Sequence, residues 1–320
     1  MNPRASDQHL SGPGHDQPLY VLPFDHRFPY ANEVFGFVES MNDAQVAEAA
    51  ALKRVIYQAL EQAVVEGLPA QRVAVLVDER FGAEILRDAR ARGLTTILPI
   101  EKSGASEFTL DHGNQWREHV AQFDPTFVKV LVQLNPQGDL ARNQRQLAQL
   151  RAVSDHCRTV GRQFMFELIV PPEAAQLASL GGDREAFDRE MRPALMVVAI
   201  EQIQDAGIEA DVWKIEGLDS GDDCRRVGRA VRRGGRDRVG CVILGRGENE
   251  ARVRHWLETA AVSPGFAGFA VGRSIFAAPL VDLRAGKTTR AAAAAEIARR
   301  FCRLVQTFEH AQRPAARSGV

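Results

Sequence analysis

Phe127-Val128-Lys129-Val130-Leu131, the stretch from Asp139 to Gly161, and Phe164-Met165-Phe166-Glu167-Leu168-Ile169-Val170 follow one another in this chain, and its architecture is read most readily from them. The two flanking runs are short, apolar and rich in β-branched and aromatic residues, as buried strands are. The stretch between them carries apolar residues at three- and four-residue spacings, with an aspartate to cap its start and a glycine to end it, and so reads as an amphipathic helix. A strand, a helix and a strand in that order require the two strands to run parallel in one sheet.

The same alternation extends in both directions. Towards the N-terminus, strand-like runs fall at Leu19 to Phe24, Val73 to Val77 and Thr95 to Ile100, with helices expected over Ala44–Glu66, Ala83–Arg92 and Asn114–Gln122. Towards the C-terminus, runs fall at Val212–Glu216, Cys241–Leu244 and Gly268–Val271. The helices expected there are Arg184–Ala206, Asp222–Arg232, Asn249–Ala261 and Thr289–Phe308. Eight strands alternating with eight helices imply a parallel sheet covered on its faces, and eight units close naturally into a (β/α)8 TIM barrel. An open doubly wound α/β sheet is the alternative, since periodicity does not report closure. We expect a single α/β domain over residues 18–311, with disordered tails at 1–17 and 312–320.

Composition narrows the function. The 320 residues are 45% hydrophobic and 25% charged, the proportions of an ordinary globular chain. Forty basic and 41 acidic residues leave a net charge of −1, so no global field draws the protein to nucleic acid or to an anionic membrane. The four cysteines, Cys157, Cys224, Cys241 and Cys302, form no CxxC pair or Cys/His cluster, which argues against a disulfide framework or zinc site and for a reducing cytoplasm. Neither a signal-peptide core nor a transmembrane run is present. No metal or other cofactor is expected. A homo-oligomer is compatible with the pattern, the long terminal helix being a candidate contact.

Only five of the forty basic residues are lysines: Lys53, Lys102, Lys129, Lys214 and Lys287. Lys129 and Lys214 interrupt strands otherwise built of Val, Ile, Leu and Phe, and Glu167 does the same. A charge buried without a partner is costly, so these residues demand an explanation. In Val212-Trp213-Lys214-Ile215-Glu216, alternation puts Lys214 on the face of Val212, and that face must be inward or the ammonium would lie beneath helices. A lysine desolvated beside a second ammonium such as Lys129 is a usable amine nucleophile toward a carbonyl, which points to Schiff-base chemistry. Asp25 and Glu167 end strands one and five and are the candidate proton shuttles. Tyr30 is a further candidate.

Strands seven and eight run into Gly245-Arg246-Gly247 and Gly272-Arg273-Ser274. Barrels of this kind frequently hold a phosphate in those two loops, where glycine lets backbone N–H groups approach and arginine supplies a fork of donors. Gly245, Arg246, Gly272 and Arg273 are therefore candidate phosphate ligands. Asp78, Glu79, Glu101 and Glu216 could hold Mg2+, but nothing in their spacing requires it. Of eight histidines only His26 lies at a strand end, too few for a zinc hydrolase or zinc aldolase.

Taken together, Phe24-Asp25-His26-Arg27, Val77-Asp78-Glu79-Arg80-Phe81-Gly82, Glu101-Lys102-Ser103-Gly104, Asp124 to Leu131, Phe164 to Leu168, Asp211 to Gly217, Leu244 to Glu248 and Gly268 to Arg273 resemble the aldolase-like domain fused behind bacterial 5-dehydro-2-deoxygluconokinase in inositol catabolism. More distantly the pattern is similar to class I tagatose-bisphosphate and sulfofructose-phosphate aldolases. The resemblance implies a TIM barrel with an imine-forming lysine on strand six, the position of Lys214, assisted by Asp25, Lys129 and Glu167. It implies cleavage of 6-phospho-5-dehydro-2-deoxy-D-gluconate, a phosphorylated keto-sugar, to dihydroxyacetone phosphate and malonate semialdehyde. Lys102 or Arg27 would then meet the substrate carboxylate. Another ketose-phosphate aldolase, or a non-catalytic sugar-phosphate-binding protein, remains open.

Overall fold

The computed structural model describes residues 12–27 and 41–313. Eight parallel strands close into a barrel in sequence order, β1 (Leu19–Pro23), β2 (Val73–Leu76), β3 (Thr95–Pro99), β4 (Phe127–Gln133), β5 (Gln163–Ile169), β6 (Val212–Glu216), β7 (Gly240–Leu244) and β8 (Phe266–Ala270), with β8 pairing back onto β1. The open-sheet alternative is thereby excluded. Among the described residues the main helices are α1 (Asp43–Val65), α2 (Glu79–Ala91), α3 (Trp116–Phe123), α4 (Leu140–Thr159), α5 (Ala174–Ser179), α6 (Arg192–Asp205), α7 (Gly221–Val231), α8 (Glu250–Ala261), α9 (Arg273–Arg284) and α10 (Arg290–Gln312).

Side-chain capping fixes several helix starts. Asp139 accepts from the backbone N–H of Arg142 at the start of α4, Ser220 from Asp223 at α7 and Asn249 from Arg252 at α8, each satisfying a donor the helix cannot use itself. Two apolar layers result. Side chains pointing outward from the strands pack under the helices, while Leu19, Val21, Ala74, Leu76, Ile97, Phe127, Met165, Val212, Val242 and Ala270 fill the barrel itself. Because strand side chains alternate, the next inward residues towards the C-terminal end lie two positions on. Above Phe127, Met165 and Val212 these are Lys129, Glu167 and Lys214, so a charged storey sits on an apolar floor.

Two helical features depart from the sequence reading. The run 184–205 contains a π-helical stretch, Phe187–Met191, before α6. The segment after Gly272-Arg273-Ser274 is helix α9, which its internal Pro279 disguises. Of the N-terminal stretch expected to be a tail, residues 12–17 are described and lie against the strands: the Gly14 N–H donates to Asp211 at 2.7 Å and the Gln163 amide donates to the Gly14 carbonyl. Among the described residues no helix is long and apolar enough to cross a membrane.

Candidate active site

At the C-terminal end of the barrel, β4, β5 and β6 bring Lys129, Glu167 and Lys214 into contact. Glu167 and Lys214 are register partners across the β5–β6 ladder, and Leu131, two residues beyond Lys129, pairs with Glu167. The Glu167 carboxylate bridges both ammonium groups, with Oε2 2.7 Å from Lys129 Nζ and Oε1 2.8 Å from Lys214 Nζ. All three are buried.

The two lysines have different surroundings. Lys129 also meets Asp25 at 3.1 Å and Glu101 at 2.7 Å, so three carboxylates, from beyond the ends of β1 and β3 and from β5, surround it. Burial alone would lower its pKa, but these charges hold it well above the usual lysine value. Lys129 is thus a fixed cation. Lys214 makes one ion pair among the described residues, with Glu167. Burial opposes ionisation of Asp25 and Glu167, yet Lys129 first and Lys214 second keep both below the ordinary carboxylate range. At Glu101 burial prevails over the pull of Lys129 and its pKa is raised.

Other expected residues fall differently. Arg27 is buried, donating to Asp111 at 2.6 Å and to the Glu101 carbonyl at 2.9 Å. Its guanidinium therefore clamps the β3–α3 loop, whereas the sequence leads us to expect it, or Lys102, to meet a substrate carboxylate. Lys102, one residue along that loop from Glu101, has an exposed side chain, and its backbone N–H bonds Thr109. Tyr30 lies outside the described residues. The four acids considered for Mg2+ are dispersed: Asp78 pairs with buried Lys53 from α1, Glu101 with Lys129, and Glu216 with Arg246, while Glu79 faces His112.

At the β7 and β8 ends, Gly272 caps α9 and brings Arg273 to the first position of that helix, whose positive dipole end suits an anion. The Arg273 guanidinium lies across Gly247: a Cβ there would come within 2.6 Å of Nη2, and φ at Gly247 is +80°. Arg246 adopts φ +52°, unusual for a residue with a side chain, and turns onto Asp188 in the π-helical stretch and onto Glu216 at 3.4 Å. A phosphate would have to compete with two carboxylates for Arg246.

Several members of this site escape the sequence reading. Glu101 as a third ligand of Lys129 and Asp188 as the partner of Arg246 are joined across the barrel by no local spacing. His26 is the exception in kind, since it follows Asp25 directly. Its Nδ1 is buried without a partner, and burial lowers its pKa to about 4, against a smaller opposing pull from Asp25.

The chain belongs to the family described as an uncharacterised protein conserved in bacteria (DUF2090), whose model matches residues 9–312. No curated protein matches the chain by sequence. Among solved structures the chain is similar to a fructose-bisphosphate aldolase from Plasmodium falciparum, crystallised in a ternary complex with TRAP and a small-molecule inhibitor. The TM-score is 0.62 over 96% of this chain and 94% of that one, at 14% identity. That likeness concerns the fold.

Proposed function

We propose that this member of the family is a Schiff-base aldolase acting on a phosphorylated keto-sugar, with Lys214 as the imine-forming amine. The observation that carries this reading is the asymmetry of the two lysines. Lys129 is held by three carboxylates and Lys214 by one, which Lys129 shares. A nucleophilic amine must give up its proton, and the group placed to take it from Lys214 is Glu167. Lys129 keeps its charge and holds Glu167 in position.

In this mechanism Lys214 Nζ adds to the ketone carbon, and loss of water leaves a protonated imine. Glu167 or Asp25 then takes the proton from the hydroxyl two carbons from the imine carbon. The bond from that hydroxyl-bearing carbon to the carbon next to the imine breaks, its electron pair passing to the imine to give an enamine and releasing an aldehyde. Protonation of the enamine and hydrolysis of the resulting imine free the second product and restore Lys214. Burial of the charged storey strengthens each of these electrostatic contacts relative to water. Arg273, Gly247 and the start of α9 would hold the phosphate, with Gly245 and Gly272 giving the backbone its close turns. Arg246 would join once released from Asp188.

On the family resemblance, the substrate is 6-phospho-5-dehydro-2-deoxy-D-gluconate. Lys214 would condense at C5, the C3–C4 bond would break, and Lys102 would meet the carboxylate. The commitment of Arg27 to Asp111 favours a second reading, a ketose bisphosphate or sulfosugar phosphate lacking that carboxylate. A coupled assay for dihydroxyacetone phosphate over both substrate types decides between them. We expect release that depends on Lys214, with preference for the carboxylate-bearing sugar. Release from neither type, at protein concentrations where borohydride finds no reducible adduct, would remove the aldolase assignment.

A further inference from the structure

Outside the lysine site, the geometry points to a site for one divalent first-row transition cation, with Zn2+ as the physiological candidate, formed by Glu79, His112 and His119. Glu79 opens α2, His112 lies in the β3–α3 loop and His119 lies on α3. Their ligand atoms all fall within 4.8 Å of one another. Glu79 Oε1 is 3.3 Å from His112 Nε2, and Glu79 Oε2 is 3.7 Å from His119 Nε2. Metal–ligand bonds of about 2.0–2.2 Å at tetrahedral angles separate ligand atoms by roughly 3.3–3.5 Å, close to the two distances found.

A second observation points the same way. His119 is only 8% exposed, yet its Nε2 has no hydrogen-bond partner, and neither has Glu79 Oε2, which it faces. Buried polar atoms are ordinarily satisfied, so two orphaned ones aimed at each other across more than a hydrogen bond mark a place for something between them. The His112 and His119 rings stack at 3.7 Å and 22°, which sets their Nε2 lone pairs side by side, so one ring must turn for both to meet one ion. Two imidazoles and one carboxylate form a donor set suited to zinc or cobalt rather than to Mg2+ or Ca2+, and His112, the more exposed ring, can swing to open the bite.

The cation would join the start of α2 to α3 across the loop that carries Glu101, Lys102 and Asp111. It would act as a staple for that loop and takes no part in the imine chemistry proposed above. The test is titration of the chelator-treated full chain with Co2+ alone, read by visible ligand-field absorption and by melting temperature. We expect one Co2+ per chain, displaceable by Zn2+, with a rise in melting temperature. His112→Ala, at a partly exposed position, should weaken binding by at least roughly tenfold and remove both signals. Glu79→Gln should do the same, and His255→Ala should leave both signals intact. No absorption at one equivalent, or an unchanged signal in His112→Ala, would overturn the proposal. If Glu79→Gln does not fold, His112→Ala decides alone.

Discussion

The floor and the mouth of this barrel are built on the same strands, two residues apart, and obey opposite rules. Phe127, Met165 and Val212 are fully buried and apolar, stable simply because water is excluded. Two positions on, Lys129, Glu167 and Lys214 are nearly as buried, but each persists only through the charges of its neighbours. The floor tolerates any side chain of suitable volume. The mouth tolerates only a set that balances, and that constraint separates a scaffold from a site.

The sharpest way to break this comparison is at Lys214. Lys214→Ala should reduce aldol cleavage to background while leaving the fold intact, because Glu167 keeps Lys129 as its partner; a steady-state assay beside a melting curve reads both. Glu167→Gln should lower kcat by about 10²–10⁴-fold, the usual range for loss of a general acid–base group, with a smaller change in KM.

A stability comparison comes next. Lys129→Met and Phe127→Ala should each cost about 3–5 kcal/mol, the first by leaving buried carboxylates unpaired and the second by opening a cavity. Acid separates them. Without Lys129, Asp25 and Glu167 lose the charge that keeps their pKa values below 3.8 and 4.5, so protonation becomes the easier state in the folded protein. Denaturant titrations should show the Lys129→Met deficit shrinking as pH falls through and below that range, and the Phe127→Ala deficit unchanged.

The smallest effect is at His26. Its pKa is 6.5 in the unfolded chain and about 4 in the folded one. Between those values the unfolded state binds the extra proton, so stability rises with pH across the window and is lost as pH falls from 6.5 towards 4. His26→Gln should flatten that part of the stability–pH curve, and a curve of unchanged slope would show that His26 does not titrate there.

Much of this was legible before any coordinates. The bounds of β6 match the sequence reading residue for residue, because its apolar run is short and sharply bounded. The inward direction of Lys214 follows from alternation with Val212. Asp25, Lys129 and Glu167 meet as a cluster because each is a charge in or at the end of an apolar strand. Less legible were contacts between elements that no period connects. Glu101 reaches Lys129 from just beyond the end of β3, Lys53 reaches Asp78 from α1, and Asp111 fixes Arg27 from a long loop. Helix α9 was hidden by Pro279, and the π-helical stretch that presents Asp188 to Arg246 has no compositional signature. His112 and His119 are seven residues apart, two helical turns, but His112 precedes α3 and only the loop's path brings both rings to Glu79.

The most direct test of the account is borohydride reduction of the protein in the presence of dihydroxyacetone phosphate, followed by peptide mass mapping. The asymmetry between the two lysines predicts a single adduct, on Lys214. An adduct on Lys129, or none on either lysine while cleavage proceeds, would contradict it.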